Sequence, residues 1–188
     1  MTSTTIALLA ALISPLLIFI FIYNSLIASR NRVEEAFSGI DVQLKKRYDL
    51  IPNLISTVKQ YMEHEQQVLT EITELRSKAV NGDLSTKEEF QLNNELSDKL
   101  KGLNVVVEAY PDLKADESFD NLQRSLNEVE SQISAARRTY NANVRAYNNK
   151  VEQFPSSLVA SMKGFDRHEF FRAAKKEREN VDVDNLFE

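Results

Sequence analysis

No charged side chain occurs from Ile6 to Ala28, while every Lys, Arg, Asp and Glu of the chain lies from Arg30 onward. The net charge of -5 therefore belongs wholly to the second part. At about 1.5 Å per residue, a helix over Ile6–Ala28 is roughly 34 Å long and spans a hydrocarbon core about 30 Å thick with modest tilt. Pro15 is expected to bend it, with Ser14 and local adjustment re-satisfying the freed backbone groups. The rival is a cleaved signal peptide. Against it, Met1 to Thr5 offer no positive n-region, the apolar run exceeds about 15 residues, and no good small-x-small site precedes Arg30. Residues 1–28 are read as an uncleaved anchor. Arg30, Arg32, Lys45, Lys46 and Arg47 follow the span closely, so the N-terminus is expected outside and the rest in the cytoplasm. Glu34 and Glu35 intervene, and the rule is a bias.

Downstream the dominant signal is an apolar residue every three or four positions, which is helix period. Residues 29–155 are expected to be all-α, an antiparallel up-and-down four-helix bundle behind the transmembrane helix. The first stripe is Val33, Phe37, Ile40, Leu44 and Tyr48; the second runs from Leu54 through Val58, Tyr61, Val68 and Ile72 to Leu75. Between them Pro52 leaves two readings. Asp49 caps a new helix with Pro52 in its first turn and Ile51 pushed out of helical geometry, or one long kinked helix runs through. Asn81-Gly82-Asp83 is a turn, and Ser85 with Glu88 forms a capping box. Leu96, Leu100, Leu103, Val107 and Tyr110 stripe the next helix, which Pro111 stops. The longest segment carries Phe119, Leu122, Leu126, Val129, Ile133, Ala136, Tyr140, Val144, Tyr147, Val151 and Phe154, near the 3.5-residue period of a coiled coil. Tyr140-Asn141 recurs as Tyr147-Asn148, a tyrosine face read as bundle packing.

Catalytic signatures fail one by one. His64 and His168 are each followed by Glu, but the second zinc-protease histidine is replaced by Val68 and Arg172. The ferritin-like glutamate three residues before each histidine is replaced by Tyr61 and Phe165. Gly39, Gly82, Gly102 and Gly164 do not cluster, so no phosphate loop is formed. Glu71, Glu74, Glu128 and Glu130 are read as solvated helix charges. Cysteine is absent, which excludes disulfides, thiol catalysis and Cys-zinc sites. The acidic balance and the lack of a basic, aromatic-studded pattern argue against nucleic acid as a partner. No catalytic residue, metal ligand or cofactor is named, and the chain is read as not an enzyme.

Two candidate regions remain. Gln43, Arg47, Asp49 and Asn53 lie near the Pro52 break and form either a hydrogen-bonded network or a capped helix end with solvated neighbours. If Pro52 marks a corner, the long last helix returns to the bilayer, and the tail 156–188 begins at the lipid surface. Residues 156–172 are then expected against the membrane, with Leu158, Val159, Met162, Phe165, Phe170 and Phe171 as apolar anchors beside Lys163, Arg167 and Arg172, the three phenylalanine rings foremost. The alternative is that these rings fold back to close the bundle. The end from Val181 is expected to be flexible.

With these residues assembled, the chain resembles the LemA family of bacterial membrane proteins. The resemblance is carried by Asn31 to Phe37, Gln43-Leu-Lys-Lys-Arg-Tyr-Asp-Leu-Ile-Pro-Asn-Leu54, the Ala109–Ala115 link, Phe119, Leu122-Gln123, Ala136-Arg137, the two Tyr-Asn pairs, Phe154-Pro155 and Gly164-Phe165. Phe37 stands where that family often has tryptophan. The resemblance implies an N-terminal membrane helix in the cell (inner) membrane and an antiparallel helical bundle. It further implies no established enzymatic activity and occurrence beside membrane zinc metalloproteases. The expected function is a membrane-anchored scaffold or adaptor with a protein partner, such as a metalloprotease or its substrates, linked to membrane protein quality control. The alternative is a self-assembling structural or membrane-shaping protein, and self-association is left open.

Overall fold

A computed structural model of the chain describes residues 3–62 and 65–171. His64, Arg172, the charged run 175–179 and the end from Val181 lie outside them. The described residues form six helices and no strand: α1 (Ser3–Val58), α2 (Gln66–Asn81), α3 (Thr86–Val107), α4 (Pro111–Lys114), α5 (Glu117–Glu152) and α6 (Ser156–Lys163). The described residues group into two compact units, one of 3–42 with 134–170, the other of 43–62 and 65–133 with Phe171. This grouping cuts across the boundaries expected at 28 and 155, because α1 and α5 each contribute to both units.

Of the two readings of Pro52, the structure shows the uninterrupted helix. Ile51 is helical and buried, and Asp49 is an exposed helix-interior residue. Proline removes the N–H that would bond the carbonyl four residues earlier, here that of Tyr48. Arg76 of α2 supplies the missing donor, its Nε lying 2.7 Å from the Tyr48 oxygen. The bond that Pro52 removes is thus replaced by a side chain far along the sequence.

In the first unit, α1 and α5 run antiparallel, since partners on α5 fall in number as those on α1 rise. Lys150 Nζ donates to Ser25 Oγ at 2.9 Å, and the rings of Phe37 and Tyr140 are 5.9 Å apart. Leu26, Val33, Ile40, Val144 and Tyr147 form its interior. Gly164 ends α6 with φ 67, the left-handed conformation that glycine adopts without a Cβ penalty, and the Phe165 N–H returns to the Ala160 carbonyl.

In the second unit the α1 stretch meets α2, α3 and α5 around Leu44, Ile51, Val58, Leu69, Ile72, Leu96, Leu103, Leu113 and Phe119. The capping box forms as expected: Glu88 N donates to Ser85 Oγ, and Ser85 N donates to Glu88 Oε2. The Ser85 hydroxyl, 2.6 Å from Glu88 Oε2, and then the Ser85 N–H hold the Glu88 carboxyl below its ordinary value. Asp116 opens α5, accepting from Phe119 N and from the Tyr61 hydroxyl, each at 2.9 Å.

Candidate functional site

Along α1, Leu26, Val33, Ile40, Arg47 and Leu54 recur every seventh residue, and all five are buried. Four of them are aliphatic. Arg47 thus sits at a core position of the heptad, where a polar residue lowers stability and fixes register. Its side chain is 1% exposed. Nη1 donates to Ser97 Oγ at 2.8 Å and to Glu130 Oε2 at 2.9 Å; Nη2 donates to Asn93 Oδ1 at 2.6 Å. The Tyr48 hydroxyl donates to the same Asn93 oxygen at 2.7 Å, and Asn93 Nδ2 donates back to the Glu89 carbonyl at 2.9 Å. Burial pushes the Tyr48 phenol above its ordinary value, against the lowering pull of the Arg47 charge. The cluster ties α1, α3 and α5 together through three side chains no sequence motif had joined to Arg47.

Of the four residues grouped on sequence, only Arg47 enters this network. Gln43 is half-buried, and Asp49 and Asn53 are exposed. The reason is helical geometry: once α1 continues through Pro52, Asp49 lies two residues from Arg47 and points to another side. Beside the network is a cavity of about 60 Å³ whose lining includes Arg47, Ser97, Lys101, Gln123, Asn127 and Glu130. That is room for a few waters, well below the roughly 300 Å³ at which small-molecule pockets begin. Glu130 balances the arginine charge, so the arrangement suits holding helices in register rather than acid–base chemistry. Among the described residues no cluster of His, Cys, Asp or Glu is placed to hold a metal ion.

The tail candidates need correction. Phe165 is 9% exposed and Phe171 is 4% exposed, so neither ring is presented to a bilayer; Phe170 is half-buried. Phe165 packs edge-on against Tyr23 at 5.9 Å and under the Arg30 guanidinium at 5.8 Å, and Phe171 meets Phe90 at 3.8 Å. The fold-back arrangement is the one found, because the Gly164 reversal turns these rings inward. The Tyr-Asn face of α5 holds the segment down. Asn148 Oδ1 accepts from His168 N and its Nδ2 donates to the His168 carbonyl, both at 3.0 Å; the Tyr140 hydroxyl donates to the Glu169 carbonyl at 3.0 Å. The His168 ring lies edge-on to Tyr147 at 5.0 Å. Burial lowers the His168 imidazole from its ordinary value, with Glu34 opposing. Phe154, expected on the α5 core stripe, is instead 80% exposed.

At the other end of α1, Leu12, Leu16, Leu17, Ile18, Ile20 and Phe21 are all exposed. This helix is long and apolar enough to cross a membrane. An all-α chain with one unpartnered apolar helical stretch, a charged helical remainder and a water-sized polar interior defines the class of protein. The LemA family's sequence profile matches residues 36–185, and the chain belongs to that family. Protein LemA of Metamycoplasma hominis is 29% identical over 173 residues, 90% of this chain and 79% of that protein. Magnetosome protein MamQ 2 of Paramagnetospirillum magneticum is 23% identical over 80% of this chain, which spans 64% of that relative. Magnetosome protein MamQ of Magnetospirillum gryphiswaldense is 22% identical over 91% of this chain and 71% of its own length.

Proposed function

We propose that this chain is a non-enzymatic, single-pass membrane-anchored adaptor whose helical region binds another protein. The observation that carries this reading is the contrast inside the molecule. Leu12, Leu16, Leu17, Ile18, Ile20 and Phe21 are exposed to whatever surrounds α1, whereas the buried cluster around Arg47 is charge-balanced and lies beside a water-sized cavity. An exposed apolar run of this length is stable only in lipid. The basic residues after the span orient the helical region toward the cytoplasm of the cell (inner) membrane. The partner class is a membrane metalloprotease or its substrates, a role in membrane protein quality control. Crosslinking in native membranes followed by mass spectrometry tests it: a recurrent protein partner is expected, and recovery of the chain alone would remove the adaptor reading. Labelling of Lys87→Cys in intact cells by a membrane-impermeant reagent would reverse the orientation.

A second reading, a self-assembling structural protein, draws on a groove in the first unit. An open groove of about 540 Å³ lined by Arg32, Glu35, Ala36, Gly39 and Ala136 offers small residues and both charges for another copy. A strictly monomeric full chain in detergent, read by light scattering, counts against it.

A further inference from the structure

We infer that α6 is an interfacial helix, with Phe154, Leu158 and Met162 seated in the lipid surface beside the span. The inference rests on the membrane-anchor reading above. Its first support is that α6 has two apolar faces rather than one. Val159 and Ala160 are 5% and 1% exposed, packed into the first unit, while Phe154, Leu158 and Met162 are 80%, 60% and 73% exposed. Leu158 and Met162, four residues apart, share one face of α6, and Phe154 lies in the turn that leads into the helix. Water is an unfavourable neighbour for three large apolar side chains within so short a segment.

The second support is where this stripe sits. Within the same unit, Lys163 Nζ lies 5.9 Å from the centroid of Phe19, and Phe165 packs on Tyr23. Phe19 and Tyr23 belong to the charge-free run of α1, whose neighbours Ile18, Ile20 and Phe21 are 55%, 45% and 76% exposed. From Ile6, a helix fills about 27 Å by Tyr23, so Phe19 to Tyr23 approach the edge of a hydrocarbon core about 30 Å thick. The α6 stripe is therefore held at the depth where apolar side chains meet headgroups.

The third support is the chemistry around the stripe. The Lys163 ammonium lies over Phe19 and that of Lys150 donates to Ser25, about 9 Å further along α1, so two basic side chains and Tyr23 flank this end of the charge-free run. Long basic side chains keep their stems in apolar surroundings and their charges among headgroups, and tyrosine favours the same boundary. Lipid is the occupant because the stripe borders the exposed apolar surface of the span itself.

The chain contains no tryptophan, so one introduced tryptophan reports alone. The full chain carrying Phe154→Trp, Leu158→Trp or Met162→Trp is placed in phosphatidylcholine–phosphatidylglycerol vesicles with brominated acyl chains. Phe21→Trp in the span and Val105→Trp, at a position 74% exposed in the second unit, are the references. Emission from the α6 positions is expected to be blue-shifted and quenched nearly as strongly as from Phe21→Trp, and Val105→Trp unquenched. Unquenched α6 positions with a quenched Phe21→Trp overturn the inference and leave the anchor standing; blue-shifted but unquenched emission assigns the stripe to a protein partner instead. An unquenched Phe21→Trp removes the anchor reading itself. Phe154, just before α6, and Leu158 and Met162 within it are all exposed, and circular dichroism verifies that each variant keeps its helices.

Discussion

The two units treat apolar residues in opposite ways. In the second, Leu44, Ile51, Ile72, Leu96 and Leu103 are hidden to within 1% of full burial, and the interior even accommodates an arginine. In the first, Leu12, Leu16, Leu17, Phe154 and Met162 stay at least 59% exposed, while a short apolar set closes against α5. One unit excludes solvent by packing on itself, and the other leaves large apolar side chains uncovered. Hydrophobicity alone does not define a core; the available surroundings do.

The sharpest way to break this contrast is to place a charge on each kind of apolar position. Val144→Asp, at a fully buried site, is expected to destabilise by about 4 kcal/mol or more, enough to abolish the thermal transition seen by circular dichroism in detergent. Leu126→Asp, half-buried beside the small cavity, is expected to be milder. Leu17→Asp should leave that transition in place while weakening membrane integration by about 3 kcal/mol. Equal melting losses at Val144 and Leu17 would mean that the span packs as ordinary core.

The buried arginine gives the next largest effect. Arg47→Ala is expected to cost about 3 kcal/mol, because Glu130, Asn93 and Ser97 lose their common partner. Arg47→Met should recover part of that loss, since replacing a buried ion pair by packed apolar atoms is often tolerated. A chemical denaturation midpoint unchanged by Arg47→Ala would show that the network does not hold the unit together.

A smaller effect belongs to Arg76. Arg76→Met should cost about 1 to 2 kcal/mol by leaving the Tyr48 carbonyl without its donor. In a Pro52→Ala background most of this cost should vanish, as residue 52 then bonds that carbonyl from within the helix. Full additivity in the double-mutant cycle would disprove the repair.

The smallest expected effect is a dependence on pH. Burial depresses His168, so between that depressed value and about pH 6.5 the unfolded chain holds a proton that the folded chain lacks. Stability therefore falls as pH drops through that window and levels off below it. Protection factors of the amides of 165–171, taken against intrinsic exchange at each pH, should fall from about pH 7 to about pH 5, and the fall should be absent in His168→Gln.

What was legible in the sequence was what neighbours decide. Ser85 and Glu88 are three residues apart, and their capping box formed as read. The turn at Gly82, the stop near Pro111 and the stripes on α1, α2, α3 and α5 follow from local propensity and period. The partners of Arg47 lie 46 to 83 residues away, and no spacing rule reaches so far. The Tyr-Asn pairs were visible as a repeat, yet their task of pinning 168–169 depended on where Gly164 sends the chain. Within the one apolar set read for 156–172, Leu158 and Met162 face outward while Val159, Phe165 and Phe171 turn in, because side-chain hydrophobicity does not say which way a reversed segment faces.

The bond from Arg76 to the Tyr48 carbonyl also bears on the order in which substitutions are tolerated. A proline arriving at position 52 opposite a shorter side chain at 76 would strand a carbonyl, whereas arginine arriving first at 76 meets a helix already complete and changes little. The permissive route runs through the arginine. Once both are present the dependence reverses, and the arginine can be lost at low cost only after the proline has gone.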